Sequence, residues 1–246
     1  MVSRVGLLWL TALGFVLLGQ GVSQAALASP QAVVELFTSQ GCSSCPPADA
    51  LLTDLAKRPN VIALTFPVDY WDYIGWKDTL AQPGFAARQR GYAHLRGDRQ
   101  VYTPQLIVNG QKPCIGSDRA QIEEYIGTGK GASAALPAEI VVSEDNGRVL
   151  VKVAGASDRP AGLWVLPILR SQKVEIGQGE NGGRTITYAN VVRGMVRIGD
   201  WSGGEAKFEV PLTVARGEGD GYVVLLQAFH GVKPGAILGA AKGPGL

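Results

Sequence analysis

Cysteine and histidine are scarce in this sequence: Cys42, Cys45 and Cys114 are its three cysteines, and His94 and His230 its two histidines. Three cysteines are too few for a small fold stapled by disulfides, and an odd number leaves one over. Structural zinc wants four Cys or His ligands at paired spacings. Here Cys42 and Cys45 have no matching second pair, and the histidines stand alone in different halves of the chain. A surplus of one charge is also missing, with 23 Lys and Arg against 21 Asp and Glu. Such a balance offers no basic footprint for nucleic acid. Beyond Leu18 no apolar run approaches the roughly 20 residues that a membrane span needs. Internal repeats and low-complexity tracts are absent as well.

What is present begins at the N-terminus. Arg4 is the only charged residue before Glu35, an apolar stretch runs from Val5 to Leu18, and small-residue triplets close at Ala25 and Ala28. That order predicts a secretory signal peptide over residues 1–28, cut after Ala28, rather than a membrane anchor, whose apolar segment is longer. Losing Arg4 takes the net charge from +2 to +1 (2 − 1). The expectation is an exported chain, periplasmic or secreted, with no stable membrane span once the leader is removed. In such an oxidising compartment, a closely spaced cysteine pair is either a disulfide or a cycling dithiol.

The mature chain has two halves with different patterning. Residues 32–38 and 60–68 are β-rich and apolar, whereas 46–57 and 83–95 carry helical spacing, each with proline at its start. Gln105–Val108 and Lys112–Ile115 flank Asn109-Gly110, a two-residue hairpin turn. Ser117 or Asp118 then caps a last helix that reaches Ile126. The order β-α-β-α-β-β-α predicts a three-layer α/β domain over 29–127. Residues 128–137 read as a flexible linker. The region 127–246 holds 22 of the 33 glycines. Strand-like runs at 138–143, 147–154, 162–170, 184–192, 205–212, 222–230 and 236–240, with no convincing helix, predict a β-sandwich or barrel over 138–246.

Cys42-Ser43-Ser44-Cys45 sits where the first strand's loop passes into the first helix. Helix-start N–H groups favour negative charge, and a cysteine there has its pKa lowered from about 8.5 into roughly 3.5–7.5. Cys42 is thus the expected exposed, attacking thiolate. Cys45, one turn deeper, is placed to resolve a mixed disulfide. Further on, Thr103-Pro104 immediately precedes an apolar strand, where a proline needs no ladder partner.

A C-x-x-C motif followed, after strand, helix, strand and helix, by Thr-Pro, a hairpin and a helix resembles the thioredoxin superfamily over about residues 32–126. The resemblance implies an α/β thioredoxin-like N-terminal domain followed by an all-β sandwich-like C-terminal domain. It further implies a cis Thr103–Pro104 bond packed against the dithiol, with the Thr103 backbone offered to an extended substrate. Three segments, Val34–Asp49, Val68–Trp76 and Gly179–Arg184, narrow the resemblance to an exported bacterial group, the domain of unknown function 1223 family. Thioredoxins carry a buried acid on the first strand. Glu35 is the nearest counterpart, one residue further from the first cysteine than the pattern expects, and is either a proton relay or a structural carboxylate.

Other residues carry open alternatives. Asp69, Tyr70 and Trp71 open the run Asp69–Trp76, which is either a substrate-gripping lip over the dithiol or a packed loop covering the core. Cys114 is either a small buried hydrophobe or a third redox thiol. Copper delivery through the two thiolates wants a nearby histidine, and His94 is the sole candidate in that half. Gly179–Arg184 is an anion-binding turn or simply a turn. The leading expectation is a thiol–disulfide oxidoreductase in which the sulfurs carry the electrons, so that no organic cofactor is required. Its partner is a protein or small-molecule thiol or disulfide. The rivals are a scaffold protein with a structural disulfide and a metal-delivery protein.

Overall fold

The computed structural model describes residues 30–127 and 136–246. The expected signal peptide and nearly all of the expected linker lie outside the described residues. Element by element, the first half follows its sequence signals. β1 (Ala32–Thr38) leads to α1 (Pro46–Ala56), β2 (Val61–Pro67), α2 (Pro83–Arg96), the hairpin β3 (Gln105–Val108) and β4 (Lys112–Ile115), and α3 (Arg119–Ile126). Prolines occupy the first turns of α1 and α2, where a missing N–H costs nothing. Asp118 caps α3 by accepting from the Gln121 N–H, and Gly97 and Gly127 end α2 and α3 in left-handed conformations.

The second half contributes β5 (Ala138–Asp145), β6 (Arg148–Gly155), β7 (Ala161–Glu175), β8 (Thr185–Val192), β9 (Val196–Trp201), β10 (Ala206–Pro211), α4 (Leu212–Arg216), β11 (Gly221–His230) and β12 (Lys233–Lys242). Two of these depart from the sequence reading. β9 carries a glycine at its middle, Gly199, where the Phe208 ring fills the space a side chain would take. α4 is a single turn between Pro211 and Gly217, too short to show helical periodicity. Among the described residues, no helix is long and apolar enough to cross a membrane.

The expected fold class is corrected by the sheet topology. Among the described residues the protein is mostly β, with 44% strand against 20% helix, and nine strands form one mixed sheet ordered β12-β11-β7-β8-β2-β1-β3-β4, with β9 beside β7. Strands from both halves therefore share a sheet, in place of an α/β thioredoxin-like domain followed by an all-β sandwich. The physical reason lies at β2. Its outer edge would present unpaired backbone groups, and β8 covers it through a parallel pairing of Thr65 with Val191. Two side chains strengthen the junction: Thr65 Oγ1 donates to the Ala189 carbonyl (2.6 Å), and Asn190 Nδ2 donates to that of Ala63 (2.9 Å).

Strand β1 is buried on both faces, and its side chains alternate between two cores. Val33 and Phe37 meet α2 through Phe85, Ala86 and Tyr92. Val34 and Leu36 face α1 and α3 through Leu52, Leu55, Ile122 and Ile126. At the other end of the large sheet, Leu163, Val165, Val224 and Leu226 are covered by the three-stranded sheet β10-β6-β5, through Ile140, Val149, Val151 and Val153.

A charged group sits inside the α2 layer. Glu35, with 0% exposure of its side chain, pairs with Arg88 at 2.7 Å and accepts a hydrogen bond from the Tyr92 hydroxyl at 2.5 Å. Arg88 also donates to Gln227 Oε1 on β11 (2.8 Å), and Gln227 donates to the Tyr92 hydroxyl (2.6 Å) and the Gly235 carbonyl (2.8 Å). The network thus fastens β1, α2 and β11 together. Removing one partner from a buried ion pair leaves an uncompensated charge, at a cost of about 3–5 kcal/mol. Glu35→Ala is expected to lose stability of that order in urea unfolding. Glu35→Ala combined with Arg88→Met should recover most of it, and equal losses in the single and double variants would contradict a paired role.

Candidate functional site

The dithiol is built on the turn that leads into α1. The Cys42 N–H bonds the Ser39 carbonyl and the Cys45 N–H bonds that of Cys42, each at 3.1 Å, and Cys45 is the N-cap residue. The two cysteines are joined in a disulfide, with Cα atoms 5.4 Å apart. Ser43 and Ser44 are exposed, and the Ser44 hydroxyl lies 3.4 Å from the Cys42 sulfur. The expected exposed nucleophile is corrected: Cys42 is 1% exposed and Cys45 0%. Two loops close on the segment that carries them.

One is the aromatic run that opens at Asp69, Tyr70 and Trp71. Gly41, next to Cys42, leaves room for Trp71 and Ile74, whose atoms come within 3.1 and 3.2 Å of where a Cβ would stand. The Trp71 indole N–H donates to Thr103 Oγ1 at 2.7 Å, which ties the dithiol loop to the Thr103–Pro104 segment. That peptide bond is cis, and Pro104 is buried, with its carbonyl accepting from the Gly116 N–H. The Tyr70 hydroxyl donates to Gln89, which in turn holds the Tyr102 carbonyl. Asp69 is half-buried, and its carbonyl starts the 3-10 turn Asp72–Ile74. On that turn Tyr73, stacked on Trp71, is 80% exposed.

The other loop is Gly179–Arg184, between β7 and β8. Asn181 is 1% exposed, and its Nδ2 donates to the carbonyls of Gln40 (2.9 Å) and Cys42 (2.8 Å). Trp76 packs against Gly177 and Gly179 and donates to Gln40 Oε1. Glu180 Oε2 accepts from the Ser43 N–H at 3.3 Å. The sequence marks Gly179–Arg184 as a distinctive turn but places it in the other half of the chain. Only the β2–β8 pairing brings it to the cysteines.

Sequence reasoning also missed Asp49. It lies one helical turn beyond Cys45, with its N–H on the Cys45 carbonyl (3.1 Å). Side chains at this spacing are neighbours, with Cβ atoms about 5–6 Å apart. Asp49 is 3% exposed. Its Oδ1 accepts from Thr38 Oγ1 (2.7 Å), whereas Oδ2 has no hydrogen-bond partner among the described residues. The Tyr188 hydroxyl is likewise buried without a partner. Burial raises the Asp49 carboxyl from 3.8 to about 7 against the opposing Thr38 hydrogen bond, and the charge of Asp78 adds to the rise. Asp78 is itself raised by burial, although it accepts from the backbone of Gln40, Leu80 and Ala81. A buried acid that titrates near neutrality beside a cysteine can exchange a proton with it.

The remaining sequence-stated residues lie elsewhere. Glu35 is in the Arg88 network on the α2 side of the sheet. Cys114 is a free, buried thiol on β4 that faces the Leu106 carbonyl, and burial pushes it up to about 12. His94 is on the last turn of α2. Among the described residues, no three His, Cys, Asp or Glu side chains gather where they could hold a metal ion.

The chain belongs to the family described as protein of unknown function (DUF1223), which it matches over residues 33–227. The match takes in the dithiol, the aromatic loop, Thr103–Pro104 and Gly179–Arg184. It is also similar to an X-ray crystal structure of an Agrobacterium tumefaciens protein from the Northeast Structural Genomics Consortium. The two share 33% identity with a TM-score of 0.80, over 90% of this chain and 97% of that one. No curated protein matches the chain.

The Asp49 carboxyl has a measurable signature. Its folded pKa is raised, so the native state holds a proton that the unfolded chain releases. Stability is therefore fully present below pH 4 and falls as pH rises through the window from 3.8 to about 7. At 1.36 kcal/mol per pKa unit the loss is about 4 kcal/mol at most. Urea unfolding of Asp49→Asn across this window should lack that decline. Parallel pH profiles for the variant and the parent protein would rule the assignment out.

Proposed function

We propose that the protein is an exported thiol–disulfide oxidoreductase whose working groups are Cys42, Cys45 and Asp49. The observation that carries this reading is the unpartnered Asp49 oxygen one turn from Cys45. A permanent structural disulfide has no use for a buried, titrating acid, whereas a resolving cysteine needs a group to take its proton.

In the reducing direction, the Cys42 thiolate attacks one sulfur of a substrate disulfide. The substrate S–S bond breaks, one half leaves as thiolate, and the other stays joined to Cys42. Cys45 gives its proton to the Asp49 carboxylate and attacks the Cys42 sulfur, closing the intramolecular disulfide and releasing the second substrate thiolate. Two electrons pass from the protein to the substrate. The reverse sequence oxidises a substrate dithiol. The sulfurs carry the electrons throughout, and an external thiol or disulfide partner restores the starting state. Tyr73, Trp71 and the Thr103 backbone frame the approach, and displacement of the Asp72–Ile74 turn admits a substrate to the covered Cys42 sulfur.

The burial of Cys42 favours one rival, a binding protein in which the disulfide is permanent. Reduced Cys45→Ser protein offered oxidised glutathione separates the two. The redox reading expects one glutathione adduct on Cys42, released by dithiothreitol and absent from the Cys42→Ser/Cys45→Ser protein. An unmodified Cys42 after prolonged exposure favours the structural disulfide and overturns the oxidoreductase.

A further inference from the structure

A thiolate at a helix start is ordinarily stabilised by free N–H groups. The start of α1 is poor in them. Pro46 and Pro47 have no N–H, and those of Cys45, Ala48 and Asp49 are bonded to the carbonyls of Cys42 or Cys45. The Ser43 N–H is taken by the Glu180 carboxylate, which brings a negative charge to the residue that follows Cys42. Glu180 is held there by its neighbour, because buried Asn181 fixes the loop to the carbonyls on either side of Gly41.

The other charged groups on the surrounding segments have other partners or face the other sulfur. Asp49 on α1 accepts from Thr38 through Oδ1 and lies one turn from Cys45. Asp72 and Asp78 accept from backbone N–H groups around 78–81 and 40, and Arg184 donates to Asn181 Oδ1. Lys77 is exposed. The Glu35–Arg88 pair lies on the α2 side of the sheet.

We propose that Glu180 is a positioning residue that disfavours the Cys42 thiolate and so biases the Cys42–Cys45 pair toward its disulfide, making the reduced protein an electron donor to substrate disulfides. This assignment rests on the oxidoreductase reading and gives it a direction. The electrons come from a thiol or dithiol partner, which is oxidised to its disulfide as the Cys42–Cys45 bond is reduced.

The test is equilibration of the full chain, as the parent protein, Glu180→Gln and Glu180→Asp, in glutathione buffers, with the dithiol fraction read by alkylation and mass. Gln keeps an oxygen for the Ser43 N–H but removes the charge. The expected result at pH 8 is a shift of about three- to tenfold toward the dithiol in Glu180→Gln, or roughly 15–30 mV for a two-electron couple. The shift should shrink as pH falls and the thiolate fraction with it, and in high salt, which screens the charge. Glu180→Asp should behave as the parent. Equal equilibria in the parent and Glu180→Gln overturn the inference, and so does a shift independent of pH and salt, which is what loosened packing gives. A parent pair that does not exchange with glutathione at all overturns the oxidoreductase reading and this inference together.

Discussion

The pairing of β8 with β2 is the constraint on which the rest of the structure depends. It is a short contact, a single register pair reinforced by Thr65 and Asn190. Without it the first half would end in an open sheet edge, and the second would have no fixed position against the cysteines. With it, nine strands become one sheet, and the loop entering β8 is laid over the start of α1. The Glu35–Arg88–Gln227 network supports the same union from the opposite face, by fastening β1 and α2 to β11.

The site is therefore a joint product of distant segments. The turn before α1 supplies both sulfurs, and α1 supplies Asp49. The aromatic run links Gly41 to Thr103 through Trp71, and the β7–β8 loop supplies Asn181 and Glu180. In the proposed oxidoreductase these parts act on different steps of one chemistry. There Asp49 would answer the proton of Cys45, whereas Glu180 would answer the charge of Cys42. Both are carboxylates, and burial separates their roles: one is enclosed with an orphan oxygen, the other exposed with its charge directed at a backbone N–H.

Much of the local structure was legible from the residues. Prolines and apolar spacing located α1 and α2, Asn109-Gly110 marked its hairpin, and Thr103–Pro104 was singled out with the cis bond that its resemblance implied. What could not be read was long-range. The periodicity of 184–192 identifies a strand but does not say that it pairs with β2, and the fold class went wrong at that point. Asp49 sits among helix-forming residues and looks like an ordinary first-turn acid, and its burial and its bond to Thr38 arise only in the folded chain. The expected help from helix-start N–H groups overlooked Pro46 and Pro47, which remove two of them, and Glu180, which occupies a third. Exposure of Cys42 failed as an expectation because Trp71, Ile74 and Asn181 converge on its loop only in the folded chain.

The central claim is that the Cys42–Cys45 bond opens and closes in the protein's working life. The midpoint potential of the parent protein, measured together with alkylation of its sulfurs, tests this most directly. The account predicts a reversible couple above about −300 mV, with both sulfurs alkylated once reduced. A pair that stays oxidised below that value and resists alkylation in the folded protein would contradict it.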